Sequence, residues 1–257
     1  MPRDNNGYDR IGIDKEAGMK LDGKLALVTG GSDGIGLEIA RHLKAKGARV
    51  IVAGRDEGRL ASARGEGFEA IRADLSNEAG CDALAETTRG RPIDILVNNA
   101  GVGTHYVAGE PIDLADVNRC IFLNLNAPIR LIALMLDALR ARPEAMIVNV
   151  TSGLAIAPNA RGAVYCATKA GLRSFTMALR AQLKGSNVHV LEALPPVVET
   201  RMTAENTHQK MPAPECGRQI VAAIEADRAY ANVGQTALLN AVYTLSPPLA
   251  RRVMLRY

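Results

Sequence analysis

A chain of 257 residues, 47% of them hydrophobic, is long enough for one large α/β domain or two small ones. Its 31 basic and 27 acidic side chains leave a net charge of +4, which is too balanced to point to a nucleic-acid partner. Cys81, Cys120, Cys166 and Cys216 have no C-x-x-C or other metal-ligand spacing, so they read as reduced thiols of a cytoplasmic protein with no metal site. No apolar run reaches the roughly 18 residues of a membrane span, and the polar start lacks the apolar core of a signal peptide.

Residues 1–22 read as a flexible extension, with Met19 as an alternative start, followed by a single domain over 23–257. The first strand is Leu25–Thr29, a compact apolar run that enters the glycine turn Gly30-Gly31-Ser32-Asp33-Gly34-Ile35-Gly36. A helix follows over Ile35–Lys46, its apolar positions at helical spacing and Gly47 as its stop. Strands are then expected at Val50–Ala53, Ala70–Ala73, Ile93–Val97, Met146–Val150 and Val188–Leu194, with a helix near Cys81–Thr88. Strands that are nearly continuous apolar runs belong to parallel sheets buried on both faces. Alternating strands and helices therefore predict a Rossmann-type, doubly wound α/β fold of about seven strands, with ligands at their carboxyl ends.

The glycine turn is a candidate phosphate site. Gly30 permits the tight turn, Gly34 lets a pyrophosphate approach, and Gly36 lets helix and strand pack closely. The helix start then offers free N–H groups and the positive end of its dipole. A carboxylate at the end of the second strand would bind the ribose 2′-hydroxyl of NAD. Here the chain reads Ala53-Gly54-Arg55, and Arg55, helped by Ser32, points to a 2′-phosphate and to NADP over NAD. Asp33 and Asp56 count against that preference by charge.

Further on, Tyr165 and Lys169 stand four residues apart, on one face of a helix. A phenol of pKa about 10 is a poor acid–base group at neutral pH, and a nearby ammonium favours its ionised form. Lowering it by roughly 3 units takes about 4 kcal/mol. Alone, such a pair is weak evidence.

Four features in order lift it: Gly30-x-x-x-Gly34-x-Gly36, Asn98-Asn99-Ala100-Gly101, Ser152, and Tyr165-x-x-x-Lys169. Together they resemble the short-chain dehydrogenase/reductase family over roughly residues 23–200, with Ser152 placed 13 residues before Tyr165 as in that family. The resemblance implies that Tyr165 is the general acid or base. It implies that Lys169 lowers the pKa of Tyr165 and holds the nicotinamide ribose, and that Ser152 bonds the substrate oxygen. Asn124 would order a water for proton relay; alternatively it satisfies a buried backbone group. Asp74 and Leu75 would meet the adenine, unless Asp74 caps the next helix. Asn98 and Asn99 would be structural and cofactor-facing, shaping the turn after the fourth strand, with Ala100 and Gly101 beside the cofactor; Thr200 and the Val198 backbone would face its carboxamide. A homodimer or homotetramer paired through the helices of 113–141 and 163–184 is implied too.

Two departures stand out. The family's Pro-Gly after the sixth strand is Pro195-Pro196 here, and its usual C-terminal ending is absent. Instead Tyr230–Gly234 reads as a seventh strand and residues 235–257 as divergent helices at Gln235–Tyr243 and Pro248–Tyr257. This turn and tail resemble the branch associated with D-alanine esterification of teichoic acids. The tail reads first as a dimer contact, then as a pocket lid, then as a membrane-surface helix. The polar segment Arg201–Pro214 reads as a mobile lid over a small carbonyl or alcohol substrate, neutral and moderately apolar. The expected function is hydride transfer between NADP(H) and that substrate. The alternatives are a non-catalytic nucleotide-binding scaffold of the same fold, and a sugar-nucleotide epimerase.

Overall fold

The computed structural model describes residues 18–205 and 209–256. Seven strands form one sheet: β1 (Leu25–Thr29), β2 (Arg49–Gly54), β3 (Glu69–Arg72), β4 (Ile95–Asn98), β5 (Ala145–Val150), β6 (Val188–Leu194) and β7 (Tyr230–Asn232). Their order is β3-β2-β1-β4-β5-β6-β7, and every pairing is parallel. All seven expected strands are present, within two residues at most ends.

Alternate residues of each strand serve opposite layers. Ala26, Val28, Ile95, Val97 and Val148 join one buried cluster, while Leu25, Leu27, Leu96 and Ile147 join the other. The first is covered by α1 (Gly34–Ala45), α2 (Glu57–Gly65) and α7 (Ala213–Glu225). The second lies under α3 (Glu78–Thr87), α5 (Ala127–Arg140) and α6 (Ala163–Gln182). The helices α4 (Leu114–Ile121), α8 (Thr236–Leu245) and α9 (Pro247–Met254) complete the set among the described residues.

Three differences from the sequence reading have physical causes. Met19 and Leu21 are buried in the first core cluster, so the folded body begins before residue 23; the expected flexibility of residues 1–17 lies outside the described residues. The helical stretch 113–141 is interrupted by a π-helical turn, Phe122–Asn126. Pro128 lacks an N–H and cannot bond the Asn124 carbonyl one turn back, which disfavours a regular helix there. Residues 114–140 are long and apolar enough to cross a membrane by length and composition. Leu131, Ile132, Met135 and Leu139 are nevertheless buried against the sheet, as in a core helix.

Gly217 marks where α7 crosses α1. A Cβ there would lie 2.7 Å from Glu38 Cβ and 2.8 Å from the Glu38 carbonyl carbon. Backbone cannot yield cheaply, so Gly217→Ala should destabilise by about 1–3 kcal/mol despite the better helix propensity of alanine. Gly65, at the end of α2, has no atom within 4 Å of its would-be Cβ. Gly65→Ala should therefore be neutral or raise stability by up to about 1 kcal/mol. Thermal melts of the two variants test the packing: the first midpoint should fall by several degrees and the second should not.

Candidate active site

The carboxyl ends of β1, β2, β4, β5 and β6 open into one cleft of about 570 Å³. It sits where the chain reverses direction across the sheet, between β1 and β4. Thr29, the last residue of β1, fastens that junction. Its hydroxyl donates to the Val97 carbonyl at 3.2 Å and accepts from the N–H groups of Asn99 and Ala100 at 3.0 and 3.1 Å. The Asn99 side chain donates back to the carbonyls of Thr29 and Gly30.

This bracing shapes the glycine turn. Gly30 and Gly34 have φ of +62° and +53°, a region other residues rarely adopt. A Cβ on Gly36 would lie 2.3 Å from the Gly30 carbonyl oxygen, so Gly36 serves the packing of α1 on the turn. Asp33 caps α1, accepting from Gly34 N–H at 2.9 Å. Gly30, Ser32, Asp33, Gly34 and Ile35 all line the cleft. This cradle, with backbone N–H groups at a helix start and bare glycines at 30 and 34, fits the pyrophosphate of a dinucleotide.

At the adenosine end, Arg55 and Asp74 face the cleft with Leu75. Asp74 accepts from Ser76 N–H, while Asn77 caps α3, so capping is not the role of Asp74. Asp33 and Asp56, expected to repel a 2′-phosphate, are both held by Arg59, at 3.0 and 2.8 Å. The backbone and side chain of Arg59 hold the Asp56 carboxyl below its ordinary range. Arg201 approaches Asp33 at 3.8 Å from the opposite wall. Sequence reasoning missed Arg59 and Arg201. The i,i+3 spacing from Asp56 was a usable signal for the first; nothing local announced the second.

Gly54 decides what can stand at the end of β2. A Cβ there would meet the Ser32 hydroxyl oxygen at 2.7 Å, so a side chain at position 54 requires that hydroxyl to turn away.

The catalytic candidates gather at the other end. Ser152 follows β5, and its hydroxyl accepts from Leu154 N–H at 3.1 Å. The turn it starts is tied to β6 by a bond from Gly153 N–H to the Pro195 carbonyl. The preceding Thr151 donates to Glu192 at 2.8 Å, and that fully buried carboxylate pairs with Arg173 of α6 at 3.1 Å. Glu192 thus holds the end of β5 and the helix bearing Tyr165 in one register. Burial raises the Glu192 pKa, against the pull of Arg173 and Thr151.

Tyr165 and Lys169 project from α6 into the cleft, with the Lys169 ammonium 5.7 Å from the centre of the phenol ring. Lys169 is 4% exposed and donates to the Val150 carbonyl at 2.9 Å. Burial pushes its pKa down to about 8. The expectation of a lowered Tyr165 pKa does not hold in this arrangement. Burial pushes the phenol up to about 12, and a hydrogen-bonding influence from Ser152 works against this without overcoming it. Desolvation outweighs the single neighbouring cation.

Asn124 is fully buried in the π-helical turn and does not line the cleft. Its amide donates to the Val102 carbonyl at 2.8 Å, and its oxygen accepts from Val102 N–H at 2.9 Å. The backbone-satisfying reading is what the bonds display. A Cβ at Gly101 would come within 3.1 Å of Asn124 Oδ1 and 3.6 Å of Lys169 Nζ, so both side chains crowd the same bare backbone. The two asparagines divide the roles expected of both: the Asn98 side chain donates to Asn149 inside the sheet at 2.9 Å and does not line the cleft, a correction to its cofactor-facing reading, while Asn99 lines the wall.

The loop after β6 closes the cleft from above. Val198 and Met211 form a parallel bridge that staples the base of segment 201–214, expected to be a mobile lid; residues 206–208 of it lie outside the described residues. Thr200 starts a 3-10 turn, Arg201–Thr203, and its methyl sits 3.2 Å from where a Cβ on Gly34 would be. Val198 and Thr200 line the cleft, Thr200 over the glycine turn.

Comparison with known proteins agrees with this geometry. A short chain dehydrogenase family model matches residues 24–211. An uncharacterized oxidoreductase, DltE, of Bacillus subtilis (strain 168) is 41% identical over 202 residues, covering 73% of this chain and 77% of the relative. A short chain dehydrogenase from Burkholderia cenocepacia J2315, solved in complex with NADP, superposes with a TM-score of 0.81 at 25% identity, over 92% of this chain and 99% of the other. A second, from Burkholderia phymatum in complex with NAD, gives 0.79 at 25% identity over 91% and 97%. With the match spanning most of its length, the chain belongs to the short-chain dehydrogenase/reductase family of oxidoreductases.

Proposed function

We propose that the protein is an NADP(H)-dependent carbonyl reductase acting on a small, moderately apolar ketone or aldehyde, with Tyr165 as its proton donor. The observation that carries this reading is the meeting of Ser152, Tyr165 and Lys169 at one end of a cleft whose other end is the glycine cradle. Bound in that cleft, the nicotinamide supplies the hydride. Ser152 and Tyr165 hydrogen-bond the substrate oxygen and so orient the carbonyl carbon. As negative charge grows on that oxygen, Tyr165 passes it the phenol proton. Burial keeps the phenol protonated at neutral pH, so it has a proton to give. Lys169, still charged below its pKa of about 8, favours the phenolate that donation leaves behind. Asn124 holds Val102 and Gly101 against Lys169 and so keeps the ammonium in place.

The preference for NADP rests on charge. Arg59 pairs with Asp33 and Asp56, Arg55 lines the same end of the cleft, and Gly54 supplies no ribose-binding carboxylate of the kind an NAD site uses. Assembly as a homodimer or homotetramer is part of the same reading, supported by exposed Leu114, Ile121 and Leu134 on α4 and α5.

Tyr165→Phe should cut kcat for carbonyl reduction by roughly 10²–10⁴-fold while NADPH affinity, read by nicotinamide fluorescence, stays within about twofold. Undiminished turnover would sink the assignment. Arg55→Ala should weaken NADPH binding by about 10-fold or more and leave NADH binding nearly unchanged, since one charge-assisted bond is worth about 1.5–3 kcal/mol. Equal losses for both cofactors would remove Arg55 from phosphate recognition. The Lys169 ammonium is present below about pH 8 and lost above it. The pH profile of kcat/KM for reduction should therefore be level near neutrality and fall as pH rises through about 8. A profile still level at about pH 10 would exclude that role for Lys169.

A further inference from the structure

Helices α8 and α9 form a hairpin at the edge of the body. There α8 packs on α9, on β7 and on the turn Gly153–Ala155. Five of the ten exposed large apolar side chains among the described residues lie on or beside this hairpin: Leu238, Leu245, Leu249, Val253 and Leu255. Leu245 is 87% exposed and Leu238 69%. Single exposed leucines are ordinary; a cluster on two adjoining helices marks a contact surface. Leu249 and Val253 are one helical turn apart on α9, and Arg252 and Arg256 follow each of them by three residues.

Charge selects the occupant. From residue 228 to 257 the chain has Arg228, Arg251, Arg252 and Arg256 and not one Asp or Glu. Arg251 is engaged by Tyr243 through a 3.0 Å hydrogen bond and a cation–π contact, whereas Arg252 and Arg256 stand exposed. A twofold contact between two copies of this face would set like charges opposite one another with no acid in the segment to offset them. A surface with anionic groups over an apolar layer supplies both the missing charge and a place for the leucines.

We propose that the α8–α9 hairpin docks the protein on an anionic lipid surface, with Leu245, Leu249 and Val253 inserted at the boundary and Arg252 and Arg256 on the headgroups. Thr236 and Leu239 of α8 rest against Gly153, beside Ser152. Docking therefore brings the substrate end of the cleft to the lipid boundary. If the reductase reading is right, the substrate class that follows is an apolar carbonyl compound held in the membrane.

The docking is tested without turnover, by co-sedimentation of the full chain with vesicles. One set is phosphatidylcholine alone and the other contains about one-third phosphatidylglycerol. The expected result is at least about 10-fold more protein on the anionic vesicles, reversed by raising salt from about 50 to 500 mM. Arg252→Ser with Arg256→Ser should lose most of that difference, and Leu245→Ser with Leu249→Ser should lose the binding altogether. Thermal melts and NADPH binding confirm that both variants are folded. Equal sedimentation with the two vesicle sets, or none with either, overturns the proposal. So does a dimer in light scattering that the leucine variant dissociates while the wild type ignores lipid; that outcome assigns the face to a second copy. Failure of the reductase reading would instead show as absent turnover with docking intact.

Discussion

One hydroxyl, that of Thr29, braces the floor of the cleft where the chain reverses direction between β1 and β4. A parallel sheet wound from its middle sends successive helices to opposite faces, so the loops leaving β1 and β4 part and leave a crevice. That crevice would be a weak point if its floor were not braced. Thr29 bonds across to β4 through both the lone pairs and the proton of its hydroxyl, and Asn99 returns the bonds to the glycine turn. The glycine turn and the wall carrying Ala100 and Gly101 are therefore one braced unit, and α6 is set against that unit through Gly101.

Around this frame, burial governs the chemistry more than pairing does. A tyrosine and a lysine one helical turn apart suggest a phenol pulled acidic by an ammonium. In the fold, both groups are taken from water, and each is pushed toward its neutral form. The protein thus holds a protonated phenol and a lysine poised within about one unit of neutrality. An arrangement of this kind responds strongly to any further charge that enters the cleft, because little solvent remains to screen it.

The sequence was legible where the physics is local. Apolar runs and glycines announced the strands, their parallel arrangement and the glycine turn, since each depends on a few adjacent residues. The ordered glycines, serine, tyrosine and lysine are residues that the fold brings to one cleft at the carboxyl ends of those strands. What stayed hidden depends on contacts between distant segments. Arg201 reaches Asp33 across 168 positions of sequence, and no pattern announces that. Asn98 and Asn99 are adjacent and chemically identical; only the pleat decides that one turns into the sheet and the other to the cleft. The pKa of Tyr165 was misjudged for the same reason, as its surroundings come from several elements at once. Met19 and Leu21 read as tail because two apolar residues in a polar stretch carry no periodicity.

Gly54 and Ser32 also constrain how this protein can change. A side chain at position 54 would place its first atom 2.7 Å from the Ser32 hydroxyl, so any substitution of Gly54 has to turn that hydroxyl away from where it now stands. Positions 32 and 54 are therefore coupled although 22 residues separate them in the chain, and changes at the two should not act additively on stability or on binding in the cleft.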